Sequence, residues 1–265
     1  MSLDRSTLEM AEVPSFDKSR KLGPFTWFYK FHHARRFRWL QRKTSAIEKT
    51  EISVLELGCN DARSIDYISV PITRYVGFDA GWRSGIREGR PYGLEAARVH
   101  YRNMPNFEFH RSESCKDLER VPGHFDVAIV LETFEYLKPA ELEKYVAVLA
   151  SKLNNTGCIY STMPNEKGVP LLLKVLGSKL SRVPRSEYTK RQLFNAILGR
   201  MQRVPRKAFG RKGFDYAAVA QIIRRHFTRI QLEPLEPSFA PLSLSLNVGL
   251  TACSKKSSTN AAIRS

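Results

Sequence analysis

VLELGCNDA, residues 54–62, is a short apolar run that stops at a glycine, and YVGFDAG, residues 75–81, repeats that form with Asp79 lying 21 residues beyond Gly58. Runs of this length, rich in β-branched and aromatic residues and ended by glycine, read as buried strands. A strand, a glycine turn and a following helix put backbone N–H groups and a bare Cα at the carboxyl edge of a sheet, where open α/β folds hold their ligands. A carboxylate closing the next strand can accept hydrogen bonds from both hydroxyls of a ribose. The two stretches together point to a ligand that contains adenosine.

Outward from this pair the pattern continues. FEFHRS (107–112), FDVAIVL (125–131) and GCIYSTM (157–163) are further strand candidates, and PAELEKYVAVLASKL (139–153) carries apolar residues at helical spacing behind Pro139. The helix YAAVAQIIRRHF (216–227) precedes two last strands, FTRIQLEPL (227–235) and LSLSLNVGLTACS (242–254), whose Pro-rich connection allows antiparallel pairing. Strands alternating with helices imply crossovers in a parallel sheet. The predicted fold is α/β, Rossmann-like and doubly wound: a mostly parallel seven-stranded sheet with an antiparallel closing strand, plus a helical insertion. The predicted organisation is a basic aromatic arm or lid over 1–49, a ligand-binding core over 50–165, a basic helical insertion serving as a lid over 166–213, the remainder of the core over 214–255, and a disordered tail over 256–265.

Of the 265 residues 42% are apolar, enough for a sizeable core, and the formal charge is +17. That balance favours an acidic partner, whether nucleic acid, anionic lipid or a phosphorylated substrate, over a merely solvated basic surface. The charge is concentrated. Lys18 to Lys43 holds nine Lys/Arg and no acid, interleaved with Trp27, Phe28, Phe31, Phe37 and Trp39, and a helix is expected from Pro24 to about residue 43. Residues 166–213 hold 13 Lys/Arg against two Glu and read as two or three amphipathic helices and a loop. Cys59, Cys115, Cys158 and Cys253 show neither CxxC nor a zinc-type His/Cys spacing, so no metal is expected and four reduced thiols are. The N-terminal stretch lacks the apolar core of a signal peptide, and no apolar run approaches the ~20 residues that cross a bilayer. The expectation is a cytoplasmic protein, with a peripheral seat at the inner face of a membrane compatible with its charge.

A dinucleotide site wants G-x-G-x-x-G, whereas this turn runs Gly58-Cys59-Asn60-Asp61-Ala62, and the charge of Asp61 opposes a pyrophosphate. Adenosine without phosphates fits better. Glu56-Leu57-Gly58-Cys59-Asn60-Asp61-Ala62 resembles the first motif of the class I S-adenosylmethionine-dependent methyltransferases, an acid followed by three alternating glycines, with Asn60 and Ala62 in place of two of them. VGFDAG resembles that family's ribose-binding strand end. FEFHRSES resembles its third strand and turn, with Glu113 where an acid meets the adenine amino group. FDVAIVLETFEYL is similar to its fourth strand, with Tyr136 where many relatives carry histidine. The resemblance covers roughly residues 50–165.

What this resemblance implies is S-adenosyl-L-methionine as cofactor, held by Glu56 at its methionine end and by Gly58, Cys59, Asn60, Asp79, Ala80, Glu113 and Leu131. It also implies an acceptor side at Glu132, Glu135 and Tyr136; no general base declares itself in the sequence, and His32, His33 and Tyr188 lie in the lids expected from the basic, aromatic segments that flank the core. Cys59 is expected to pack beside the cofactor without reacting. The absence of an (Asn/Asp)-Pro-Pro-Tyr motif after the fourth strand favours O-methylation. The implied activity is methyl transfer to a small-molecule or saccharide acceptor, phosphate-bearing and lipid-linked ones included. An RNA methyltransferase, for which no RNA-binding module is recognisable, and a non-catalytic binding module are the alternatives.

Overall fold

The computed structural model describes residues 25–82, 84–180, 188–207 and 210–255. Its strands are β1 (Ile52–Leu57), β2 (Ile72–Asp79), a small hairpin of β3 (Gly85–Arg87) and β4 (Arg90–Tyr92), β5 (Phe107–Arg111), β6 (Phe125–Leu131), β7 (Leu153–Pro164), β8 (Phe227–Pro234) and β9 (Asn247–Lys255). Apart from the hairpin they form one seven-stranded sheet in the order β5-β2-β1-β6-β7-β9-β8. β1 is parallel to β2 and β6, β2 to β5, and β6 to β7. β9 alone is reversed, antiparallel to β7 on one side and β8 on the other. The antiparallel strand predicted from sequence thus lies inside the sheet, with β8 at the edge.

The helices are α1 (Phe25–Ser45), α2 (Leu94–His100), α3 (Cys115–Arg120), α4 (Pro139–Lys152), α5 (Gly168–Leu180), α6 (Lys190–Ile197) and α7 (Tyr216–Arg224). β1 and β6 are almost continuously apolar because helices cover both faces of the sheet. On one face Phe37, Trp39 and Leu40 of α1 and Leu94 and Ala97 of α2 pack on Val54, Tyr75, Val127 and Ile129. On the other, Leu118 of α3, Leu142, Val146 and Leu149 of α4 and Val219 and Ile223 of α7 pack on Leu55, Val76, Ala128 and Leu250. Burying each such side chain contributes about 1.5–3 kcal/mol, which is why alternation along the sequence decides which helix meets which face. The helices start on local signals: Pro139 at the head of α4, Asp215 accepting from Ala217 N before α7, and a Thr189–Gln192 capping box before α6.

The structure corrects four expectations. The crossover from β1 to β2 is a single 3₁₀ turn, Arg63–Tyr67, in place of the expected helix. The layer it leaves open is filled by α1, whose Phe37 ring stacks on Tyr67 at 5.0 Å between centroids. The C-terminal half of α1 is therefore a core element and not a lid. Trp39, 1% exposed, lies across Gly249, where an added Cβ would stand 2.6 Å from Trp39 Cε2. Residues 242–244 form a 3₁₀ turn, and the last strand starts only at Asn247. Lastly, Cys158 and Cys253 are joined in a disulfide, leaving Cys59 and Cys115 free. They are register partners on β7 and β9 with Cα atoms 4.3 Å apart, a neighbourhood created by topology across 95 residues and invisible in their spacing.

The β3–β4 hairpin turns through Glu88 (φ 51°) and Gly89 (φ 76°), both left-handed as a two-residue hairpin turn requires. The arm before residue 25, the tail after residue 255, and the side chains of Trp27, Phe28, Phe31, His32 and His33 lie outside the described residues. No helix among the described residues is long and apolar enough to cross a membrane.

Candidate functional site

The turn after β1 takes its shape from three left-handed residues: Gly58 (φ 79°), Asn60 (φ 49°) and Ala62 (φ 55°). These are the positions of the three alternating glycines in the motif that the sequence resembles. The turn conformation is kept although only one glycine remains. Asn adopts this region readily, while Ala pays about 1–2 kcal/mol for it. At Gly58 a second constraint applies, because an added Cβ would fall 2.0 Å from Thr133 Oγ1 in the turn after β6.

Two hydrogen bonds fix this turn to β2: Gly58 N and Cys59 N donate to Phe78 O at 2.7 and 3.1 Å. One residue further, the Asp79 carboxylate accepts from Asn60 N at Oδ2 (3.0 Å) and from Gly81 N at Oδ1 (2.7 Å). A carboxylate offers about four acceptor positions, so two remain for a ligand after these bonds. Asp79 is only half-buried, and its backbone contacts hold it at the carboxyl edge between the ends of β1 and β5. Arg111 Nε donates to Ala80 O at 3.3 Å and braces Gly81, where a Cβ would stand 2.8 Å from that nitrogen. Beyond it Trp82, 54% exposed, donates from Nε1 to Glu113 Oε1 at 3.0 Å. The structure thus brings Gly58, Asn60, Asp79, Ala80 and Glu113 to one rim, and adds Trp82 and Arg111, which the sequence reading missed.

Glu56 is placed differently. It is 2% exposed, beneath the turn, and its Oε2 accepts from the hydroxyls of both Ser64 and Tyr75. Burial pushes its pKa up to about 7, against the lowering pull of those two hydrogen bonds. It pins the 3₁₀ turn and β2 to β1 from below, so its contact with this rim is through the backbone it holds. The Cys59 thiol likewise turns inward, against Gly77, and burial raises its pKa well above the usual range, as befits a packing residue.

At the end of β6, Leu131 is buried and the next residues carry the acids. Glu132, left-handed at φ 49°, is held by Arg36 Nη1 at 3.1 Å, Arg211 Nη2 at 3.0 Å and Asn247 Nδ2 at 3.4 Å. Glu135 is fully buried, 3.7 Å from Arg211 Nε, and neither of its carboxyl oxygens has a hydrogen-bond partner. Burial raises its pKa to about 7, with Arg211 pulling it down and the Glu132 charge pushing it up. Arg206 donates from Nη2 to Phe134 O (3.1 Å) and Leu137 O (2.8 Å), fastening the basic insertion over the same turn. Tyr136 is half-buried there, and the Tyr188 hydroxyl accepts from Gly213 N at 3.1 Å within the insertion itself. The charge excess of α1 and the insertion was legible in sequence. That Arg36 and Arg211 converge on Glu132 was not.

No protein-family model and no curated protein sequence matches the chain. Its fold matches solved structures at low identity. The PH0226 protein of Pyrococcus horikoshii aligns at TM-score 0.52 and 16% identity, over 84% of this chain and 91% of that one. The pyocyanin biosynthetic protein PhzM aligns at 0.50 and 14%, over 89% and 59%. An inferred O-methyltransferase of Nostoc punctiforme aligns at 0.50 and 11%, over 88% and 60%.

Proposed function

We propose that this chain, whose seven-stranded sheet matches solved structures that include an inferred O-methyltransferase, transfers a methyl group from S-adenosyl-L-methionine to a small-molecule or saccharide acceptor. The observation that carries the reading is Asp79: a carboxylate at the end of β2, oriented by two backbone N–H groups, with acceptor positions left for a ribose. When bound, the cofactor supplies an activated methyl group on a positively charged sulfur.

The protein's part is positioning. Asp79 holds the ribose hydroxyls, while Asn60 N and Gly81 N keep its oxygens turned outward. Trp82, 54% exposed, offers an aromatic ring beside the purine, and Glu113, already receiving the indole N–H, lies where it can accept from the adenine amino group. Glu56 acts one layer down, holding the turn through Ser64 and Tyr75. Displacement at the methyl requires the acceptor in line and at ~3–3.5 Å, with water excluded. Arg36, Arg206 and Arg211 close the end of β6 against solvent. Of the two acids there, Glu132 is committed to ion pairs. Glu135, with its pKa near 7 and carboxyl oxygens that accept no hydrogen bond beside the Arg211 charge, is the group suited to take a proton from a hydroxyl acceptor.

The test is incorporation of label from methyl-tritiated S-adenosylmethionine into a total cell extract, partitioned into aqueous, nucleic-acid and organic fractions. The reading expects label in the aqueous or organic fraction with native protein and none with Asp79→Ala. Label confined to RNA, or no label from a protein that binds the cofactor product, would refute it.

A further inference from the structure

The insertion carries apolar surface that is exposed among the described residues. α5 buries Leu171 and Val175 in a small cluster with Ala196, Met201 and Val204, and turns Lys174 inward to Glu166 at 2.9 Å. Its opposite face presents Val169, Leu172, Leu173 and Leu176, at the i, i+3, i+4, i+7 spacing of one helical stripe, 46, 36, 54 and 48% exposed. On the adjoining α6, Phe194 is 61% exposed, and Leu198, one turn on at the helix C-cap, is 49% exposed. A helix packed on a core by one face normally sets polar residues on the other. Six large apolar side chains left open on neighbouring helices mark a surface meant to be covered.

The surrounding charge has one sign. Lys190, Arg191, Arg200, Arg203 and Lys207 are exposed in the same insertion, while Glu166, the one acid among its described residues, is buried on Lys174. A second copy of this chain would bring the same positive field against itself and be repelled. An anionic bilayer answers both features, since apolar side chains enter the headgroup boundary while Lys and Arg meet the lipid phosphates.

The location adds a reason. α5 begins just past the carboxyl end of β7 and packs on the 3₁₀ turn Leu242–Leu244 between β8 and β9. That connection presents two more uncovered side chains, Phe239 at 92% and Leu244 at 43% exposure. Both segments leave the sheet at the edge that holds Asp79 and Glu132. We propose that the α5–α6 face, with the β8–β9 loop beside it, docks the protein on an anionic lipid surface and so turns its carboxyl edge toward the bilayer.

The experiment is flotation of the full chain with vesicles of phosphatidylcholine alone or mixed with phosphatidylglycerol, at low and high salt and without cofactor. Native protein should bind the anionic vesicles at least tenfold more tightly than the neutral ones. Leu173→Glu with Leu176→Glu should weaken that binding at least tenfold while leaving the melting temperature unchanged, since both side chains are exposed. Should this pair lower the melting temperature, Leu173→Ser with Phe194→Ser gives the same comparison. The proposal is overturned by absence of binding to anionic vesicles. It is equally overturned by variants that bind as native protein does, or by a dimer that the variants dissolve in a protein that ignores vesicles. Because no cofactor is present, failure here leaves the methyl-transfer reading standing.

Discussion

Replacing Glu56 by Gln tests the layer beneath the candidate site. In the folded protein burial raises this carboxyl from an ordinary 4.5 to about 7, which amounts to about 3 kcal/mol against the charged form. The folded state therefore holds the proton more tightly than the unfolded chain. The group's contribution is fully favourable below the unfolded pKa and is lost as pH rises through the folded one. About 2 kcal/mol of the loss falls between pH ~5.5 and pH ~8. Glutamine removes the charge and retains a carbonyl oxygen to accept from Ser64 and Tyr75. Urea unfolding of both proteins at the two pH values isolates the effect, because Glu135 and every other titrating group is common to both. The stability difference should move by about 2 kcal/mol in favour of Glu56→Gln on going to the higher pH. A difference that stays constant would mean that Glu56 does not titrate in this window. One that moves the other way would mean that its pKa is depressed, and either result refutes the burial argument.

Three further outcomes follow from the same geometry. Arg211→Met removes a partner from Glu132 and the countercharge of Glu135, so it should cost about 3–5 kcal/mol at pH ~8 in denaturant unfolding, and less near pH ~6, where Glu135 regains its proton. Equal cost at both values would contradict it. Gly58→Ala combines a left-handed backbone with a collision against Thr133 and should lower stability by about 3 kcal/mol or more; a variant that melts with the native protein would show that the turn is not built as described. Thiol labelling in denaturant without reductant should find two reactive cysteines, Cys59 and Cys115, rising to four after reduction, with about 4–5 kcal/mol of stability lost on opening the 95-residue loop. Four thiols before reduction would remove the Cys158–Cys253 bond.

The sheet was legible in sequence because its central strands are buried on both faces and stand out as apolar runs against glycine stops. Gly58 and Asp79 were legible for the same reason, since each closes such a run. What escaped was set by tertiary neighbours. The 3₁₀ crossover after Ala62 is too short to show a helical period, and α1 replaces it because Phe37, Trp39 and Leu40 are buried in the cluster on that side of the sheet. Glu56 reads as a ligand residue in the motif, yet Tyr75, 19 positions away, captures it. The Arg36–Glu132–Arg211 contacts join three segments that sequence order keeps apart, and the disulfide exists only because β9 returns beside β7. Trp82 lacked any periodic signal, and its meeting with Glu113 depends on the pairing of β2 with β5.

Calorimetric titration with S-adenosylhomocysteine tests the central claim most directly. The account predicts one site on the native protein, and affinity lower by about 100-fold or more in Asp79→Ala, which loses two hydrogen bonds to a charged acceptor at roughly 1.5–3 kcal/mol each. No heat of binding to the native protein, or equal affinity in the variant, would contradict it.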